Sequence, residues 1–375
     1  MKHLLKLWDL TGQEIIDILN LADQLKYEQK NGIAHHHLKG KTLGMIFQKS
    51  STRTRVSFEV GMYQLGGMAL FLSANDLQIG RGEPVQDTAR VLSRYLDGIM
   101  IRTFAQQEVE DLAAYGTIPV INGLTDYCHP CQVLADLMTI REHKGSLSGL
   151  KLCFIGDGHN MANSLIVGGI KTGMQVAVAT PADYAPDGKI LAWAQESGRF
   201  QYTQSVEEAA KDADVIFTDV WASMGQEEEA KKRRAAFAGV YQVNDQVMEA
   251  AKPDCMVQHC LPAHREEEIT TEVFEAHAGE IFDEAETGCT PKGRHGEAHE
   301  PGRFPLRLQK MHKPWPALGH GTFGRAAKAA PAFLVAGRGC ALGCKGRCGT
   351  ERRRAARGSR GNSSSRKFFV SGRRA

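Results

Sequence analysis

Short apolar runs alternate with helically spaced stretches from the start of the chain to Glu286. Residues 42–47, 68–72, 97–102 and 119–123 read as strands, and residues 150–155, 175–180 and 214–221 as a second group. Residues 256–265 read as a strand running into a loop. Thr11-Gly12-Gln13-Glu14 is a capping-box pattern. It opens a helix with Ile15, Ile18, Leu19, Ala22 and Leu25 on one face. Residues 56–65 have helical spacing, with Val56, Val60, Tyr63 and Met62 on one side. Residues 84–96, 133–143, 190–197 and 205–211 are also helical. The Gly/Ser break at residues 145–149 separates two α/β patterns. The domains expected are therefore 1–145 and 146–286, followed by 287–375 as a segment of a different kind.

Charge sharpens that last boundary. The 375 residues carry a net charge of +3, but residues 287–375 hold 20 Lys/Arg against 3 Glu, leaving 26 basic and 40 acidic side chains before them. The body is acidic and the tail is basic. Tail composition shifts to Arg, Gly, Ala and Pro with no lasting apolar period, so it is expected to stay disordered. Five cysteines precede residue 287 and four follow it, without a paired framework, which points to reduced thiols in the cytoplasm. Cys340, Cys344 and Cys348 do not match a common zinc spacing. The apolar run at the start is too short for a signal peptide, and no stretch approaches the ~20 apolar residues of a membrane span. His35-His36-His37 beside Asn31-Gly32 reads as a solvated loop.

The chemistry gathers where strands end. Ser51-Thr52-Arg53-Thr54-Arg55 sits between a strand and a helix, where unpaired N–H groups attract anions. Three hydroxyls and two guanidiniums there make a phosphate cradle. A plain Ser/Thr cap on an Arg-bearing surface helix is the simpler alternative. Arg102 closes a strand, a place where ligands gather in open α/β sheets. His129 and Gln132 flank Pro130 at another helix start. Gly156-Asp157-Gly158-His159-Asn160 is half a dinucleotide fingerprint, with Met161 in place of the third glycine. Gln226 to Arg234 is a charge run, most simply a solvated helix start.

The context from Phe47 to Glu59 resembles the carbamoyl-phosphate loop of the aspartate/ornithine carbamoyltransferase family, in its ornithine branch. His129-Pro130-Cys131-Gln132 resembles the second signature. Asp219-Val220-Trp221-Ala222-Ser223-Met224-Gly225 resembles the Ser-Met-Gly loop of the ornithine branch, and His259-Cys260-Leu261-Pro262 its third signature. His159 departs from the usual Asn. The resemblance covers residues 1–286. It implies two α/β domains with mostly parallel sheets and a substrate cleft between them. It implies carbamoyl transfer from carbamoyl phosphate to the δ-amine of L-ornithine, with Arg102, His129 and Cys260 as catalytic residues and Cys260 as the proton acceptor. Ser51, Thr52, Arg53, Thr54, Gln78, Arg102, His129, Gln132, Cys260 and Leu261 would hold carbamoyl phosphate, with Gln78 reaching in from a neighbouring subunit of a homotrimer. Asn160, Asp219, Ser223 and Met224 would hold ornithine. No metal, organic cofactor, nucleic acid or membrane is implied. Putrescine or N-acetylornithine as acceptor, a non-catalytic binder, and nucleic-acid binding through the tail are the rival readings.

Family members continue after Glu286 with Asn-Arg-Leu/Met-His, whose Arg binds carbamoyl phosphate. Here the chain reads Thr287-Gly288-Cys289-Thr290. One choice of codons for Glu286 to Pro291 and the start of Lys292 is GAA ACC GGC TGC ACG CCC AA. One added A gives GAA AAC CGG CTG CAC GCC CAA, or Glu-Asn-Arg-Leu-His-Ala-Gln. A shifted reading frame is thus the expectation for the tail, against a genuine basic extension.

Overall fold

The computed structural model describes residues 3–222 and 229–286. Ser223, Met224 and the tail from residue 287 lie outside the described residues. Two parallel sheets form the frame. The first has the order β2-β1-β3-β4, from β1 (Thr42–Phe47), β2 (Met68–Ser73), β3 (Gly98–Arg102) and β4 (Val120–Leu124). The second has the order β7-β6-β5-β8-β9, from β5 (Lys151–Ile155), β6 (Gln175–Ala179), β7 (Phe200–Thr203), β8 (Val215–Thr218) and β9 (Met256–His259). Strand order reverses beside β1 in one sheet and beside β5 in the other. Such reversals open crevices at the C-terminal strand ends.

The helices are α1 (Gly12–Lys30), α2 (Thr52–Gln64), α3 (Val85–Leu92), α4 (Gln106–Tyr115), α5 (Pro130–Lys144), α6 (Asn160–Lys171), α7 (Gly188–Glu196), α8 (Val206–Ala210), α9 (Ala230–Phe237), α10 (Asp245–Ala250), α11 (Thr271–Ala276) and α12 (Ala278–Glu286). The capping box of α1 is formed in full, and all five apolar residues expected inside are buried. A continuous apolar cluster runs from Leu43 and Met45 of β1 through α5 and α6 to Leu152 and Phe154 of β5. Helices α5 and α6 therefore tie the two sheets together. Gly145 ends α5 in the left-handed region, at φ 79°, which glycine adopts without a Cβ clash.

Three expectations need correction. On α2 the buried side is Thr54, Ser57, Phe58, Gly61 and Met62, while Val56 is 48% and Tyr63 80% exposed. Apolar spacing leaves out small polar residues, yet Ser57 hides its hydroxyl by donating to the Thr54 carbonyl at 3.0 Å. The helix expected over residues 84–96 stops at Leu92, where the chain turns back into β3. The charge run is not wholly solvated either, because Arg233 of α9 is buried.

Candidate active site

The loop after β1 enters α2 with Ser51 as its N-cap, the Ser51 hydroxyl accepting from the Thr54 N–H at 3.2 Å. The Ser51 hydroxyl also donates to Thr54 Oγ1 at 3.0 Å, and Arg102 Nη1 donates to that same oxygen at 3.5 Å. Arg102 stands beside this turn because Phe47, the end of β1, pairs in register with Arg102, the end of β3. Thr52 is exposed in the first turn of α2. The Arg53 guanidinium donates to the Leu261 carbonyl, 208 residues away, and so joins the first sheet's loop to the end of β9. Arg55 turns elsewhere. It pairs with Glu59 at 3.0 Å and stacks over Phe71, 3.8 Å from the ring centroid. Residues two apart on a helix do not share a face, so the two arginines cannot both serve one anion.

His129 is brought to the same place by α5. Its backbone N–H donates to Ser164 Oγ of α6 at 2.8 Å. Burial first, and then the Arg102 charge, hold the His129 imidazole well below its usual pKa, so the ring is neutral at pH 7. Burial likewise lowers Arg102 to about 10, with Arg53 adding to the effect and Cys260 and Asp219 opposing it. Arg102 stays cationic at neutral pH. Arg102 Nε and His129 Nδ1 are both buried without a protein partner. Orphaned polar atoms of this kind are costly, and a bound polar ligand would satisfy them.

The second sheet supplies the other wall. The turn after β5 needs glycine, since a Cβ on Gly158 would meet Pro186 N at 2.3 Å and Tyr184 O at 2.4 Å. Asn160 follows it and donates through Nδ2 to the Thr125 carbonyl at 2.8 Å. Asp219 follows β8. Its Oδ1 accepts from the Val220 N–H at 2.8 Å and from the Cys260 thiol at 3.0 Å. Burial and the neighbouring Asp219 push the Cys260 thiol well above its ordinary pKa. In this geometry the thiol is neutral and its proton is held toward Asp219. His259 Nδ1 accepts from the Leu261 N–H at 2.9 Å, which leaves Nε2 to donate to Glu268 at 3.1 Å. That exchange sets the tautomer. Leu261 itself takes φ 55°.

Gln132 lies in the first turn of α5, where its Nε2 donates to Asp136 Oδ1 and to Glu284 Oε1, both at 2.8 Å. Gln78 sits exposed on a short 3-10 turn, Gln78–Gly80. The structure thus gathers Ser51, Arg53, Thr54, Arg102, His129, Asp219, Cys260 and Leu261 at the paired crevices, and leaves Gln78 at the surface of the chain. Sequence reading missed Asp136, Glu284, and the buried pair of Asp157 with Arg233, in which Arg233 Nη1 donates to Asp157 Oδ2 at 2.6 Å. Acidic residues four after Gln132 and two before the composition break were visible signals. Among the described residues, no helix is long and apolar enough to cross a membrane.

Two family models match the chain. The carbamoyl-phosphate-binding domain of aspartate/ornithine carbamoyltransferases covers residues 2–142, and the aspartate/ornithine-binding domain covers residues 148–292. An ornithine carbamoyltransferase of Syntrophotalea carbinolica is 58% identical over 286 residues, covering 76% of this chain and 94% of the relative. One from Thermococcus kodakarensis is 54% identical over 290 residues, covering 76% and 92%. The solved ornithine carbamoyltransferase of Pyrococcus furiosus superimposes with a TM-score of 0.72 at 55% identity, covering 76% of this chain and 92% of that one. With two matched domains in sequence and relatives covered almost from end to end, the chain belongs to the aspartate/ornithine carbamoyltransferase family.

Proposed function

We propose that this chain transfers the carbamoyl group of carbamoyl phosphate to the δ-amine of L-ornithine, giving L-citrulline and phosphate. The convergence of Arg53, Thr54, Arg102 and His129 on one crevice carries this reading. Ser51, Thr52, Arg53 and Thr54 take the phosphate, which lies against the first turn of α2. Arg102, His129 and Thr54 stabilise the oxyanion that grows on the carbamoyl oxygen. The amide Oε1 of Gln132 receives the carbamoyl N–H. Cys260 donates rather than accepts, and with Leu261 it lines the far wall. Asp219 receives the α-ammonium of ornithine, with Asn160 and the segment carrying Ser223 and Met224 on the rest of its amino-acid end.

An amine like lysine's has a pKa of ~10.4 and is mostly protonated at neutral pH. It must enter deprotonated or lose its proton within the site, with the leaving phosphate as an available acceptor. The acyl phosphate is already activated, so holding the two substrates together supplies much of the rate, up to ~7–11 kcal/mol of the barrier. Gln78 is proposed to act from the neighbouring subunit of a homotrimer, consistent with its exposed place in one chain. The domains are proposed as 1–145 for carbamoyl phosphate and 146–286 for ornithine. A shifted frame is proposed for residues 287–375.

Citrulline formation from carbamoyl phosphate and ornithine tests the function. Putrescine or N-acetylornithine as the better acceptor would move the assignment within the family. Phosphate-analogue binding without turnover would leave a binder.

A further inference from the structure

Leu261 takes φ 55°, in the left-handed region that a residue with a branched side chain enters only where its surroundings hold it. Both of its polar backbone groups are held. Its N–H donates to His259 Nδ1 at 2.9 Å, and its carbonyl accepts from the Arg53 guanidinium. The first contact depends on the state of the ring. Nδ1 accepts only while it carries no proton, so the ring proton must sit on Nε2. His259 is fully buried, and its Nε2 meets Glu268 Oε1 at 3.1 Å. The same Oε1 accepts from the His264 N–H at 2.5 Å, which marks it as the acceptor and Nε2 as the donor. One oxygen of Glu268 thus grips the chain on both sides of residues 260–263.

We propose that His259 is a positioning residue for the phosphate side of the crevice: its unprotonated Nδ1 holds the Leu261 peptide turned so that the Leu261 carbonyl steadies Arg53. This rests on the proposed function and adds to it a residue too deeply enclosed to touch a substrate. The contacts run from Glu268 through His259 and Leu261 to Arg53, and so from the interior beside β9 to the first turn of α2. Each link sets the next. Glu268 fixes where the ring proton sits, and the bare Nδ1 then fixes Leu261. Without an acceptor on the side chain at position 259, the Leu261 N–H loses its partner and the left-handed backbone has less to hold it. Relaxation of that residue to a negative φ turns its carbonyl away from Arg53, and the guanidinium loses a fixed orientation.

Two substitutions separate positioning from packing. Asn places an amide oxygen where Nδ1 lies, so His259→Asn keeps an acceptor for the Leu261 N–H and drops the link to Glu268. Gln places an amide NH2 where Nε2 lies, so His259→Gln keeps the link to Glu268 and drops the acceptor. Both replace a buried ring by a smaller amide, and a merely structural role would suffer in both.

Phosphonoacetamide is a stable phosphonate that stands in for carbamoyl phosphate. In calorimetric titrations of the full chain at about pH 8, His259→Asn should bind it within about threefold of the wild type, and His259→Gln about tenfold more weakly or worse. The wild type supplies a second readout that needs no variant to fold. Nitrogen NMR with labelled histidine should show the His259 ring protonated on Nε2 and bare on Nδ1. A His259 ring that carries a proton on Nδ1 overturns the proposal. So does a His259→Gln chain that binds the probe as tightly as His259→Asn, or more tightly. Absence of probe binding to the wild type overturns it together with the functional reading.

Discussion

The Cys260 thiol donates to Asp219 Oδ1 at 3.0 Å, joining the ends of the paired strands β9 and β8. This contact ties the proton of Cys260 to the charge of Asp219. A carboxylate beside a thiol opposes the thiolate, and burial opposes it further. Cys260 is only half-buried, whereas Cys128, Cys131, Cys153 and Cys255 are buried. Peptide-resolved alkylation should therefore find Cys260 accessible yet slower than a free thiol at about pH 8. Asp219→Asn should accelerate it. A Cys260 rate equal to that of a free thiol would show that the contact does not hold the proton.

Asp219→Asn should also weaken ornithine much more than carbamoyl phosphate. Asp219 is the charge at the end of β8, while the phosphate-side groups come from β1, β3 and α5. Equal losses for both substrates would mean that Asp219 only supports the fold.

Arg53→Ala should abolish carbamoyl transfer while leaving the protein folded. It removes a charged hydrogen bond worth ~1.5–3 kcal/mol, and more where charge grows in the transition state. It also unties α2 from the Leu261 carbonyl. Near-normal kinetics with an unchanged melting curve would remove Arg53 from the phosphate cradle.

Asp157 and Arg233 make a pH-dependent stability contribution. Burial lifts the Asp157 carboxyl to about 6 even though Arg233 pulls the other way. Its folded pKa lies above the unfolded value of ~3.9. The stability it brings is therefore fully present below that unfolded value and is lost as pH rises through the folded one. Arg233→Ala leaves Asp157 buried without its cation, at a cost of ~3–5 kcal/mol when Asp157 is ionised. The deficit should shrink as pH falls toward about 5, where Asp157 can protonate instead. Urea unfolding at both pH values measures this, and a deficit that stays constant would contradict the pairing.

Much of the frame was legible because its strands are buried on both faces and read as short apolar runs. Phe47, Arg102, His129, Asp219 and Cys260 drew notice through their places at strand ends and helix starts taken together with the family resemblance. The inner face of α2 was not, since Ser57 and Thr54 are buried through hydrogen bonds that no apolar pattern reveals. Strand β7 was also missed. Phe200–Thr203 is short and half-buried, with neither an apolar run nor a clean alternation. The link between Asp136 and Glu284 was not legible for another reason. Their significance depends on a contact across 148 positions, bridged by the amide of Gln132.

The last prediction concerns Gly288. The resemblance to the family implies an arginine for carbamoyl phosphate at this position, and the proposed frame shift would restore Asn-Arg-Leu-His after Glu286. Helix α12 ends at Glu286 and carries Glu284, which already reaches Gln132 and the end of β9. The restored frame would supply that arginine. Its guanidinium, as a charged hydrogen-bond donor, is worth ~1.5–3 kcal/mol, or roughly tenfold to a hundredfold in affinity. The frame-restored chain should therefore bind phosphonoacetamide tighter by about that factor and form citrulline faster. The DNA sequence across the codons for residues 284–294 checks the frame directly. Equal affinity and turnover in the two chains would mean that another cation already serves the site, and that residues 287–375 are a genuine extension.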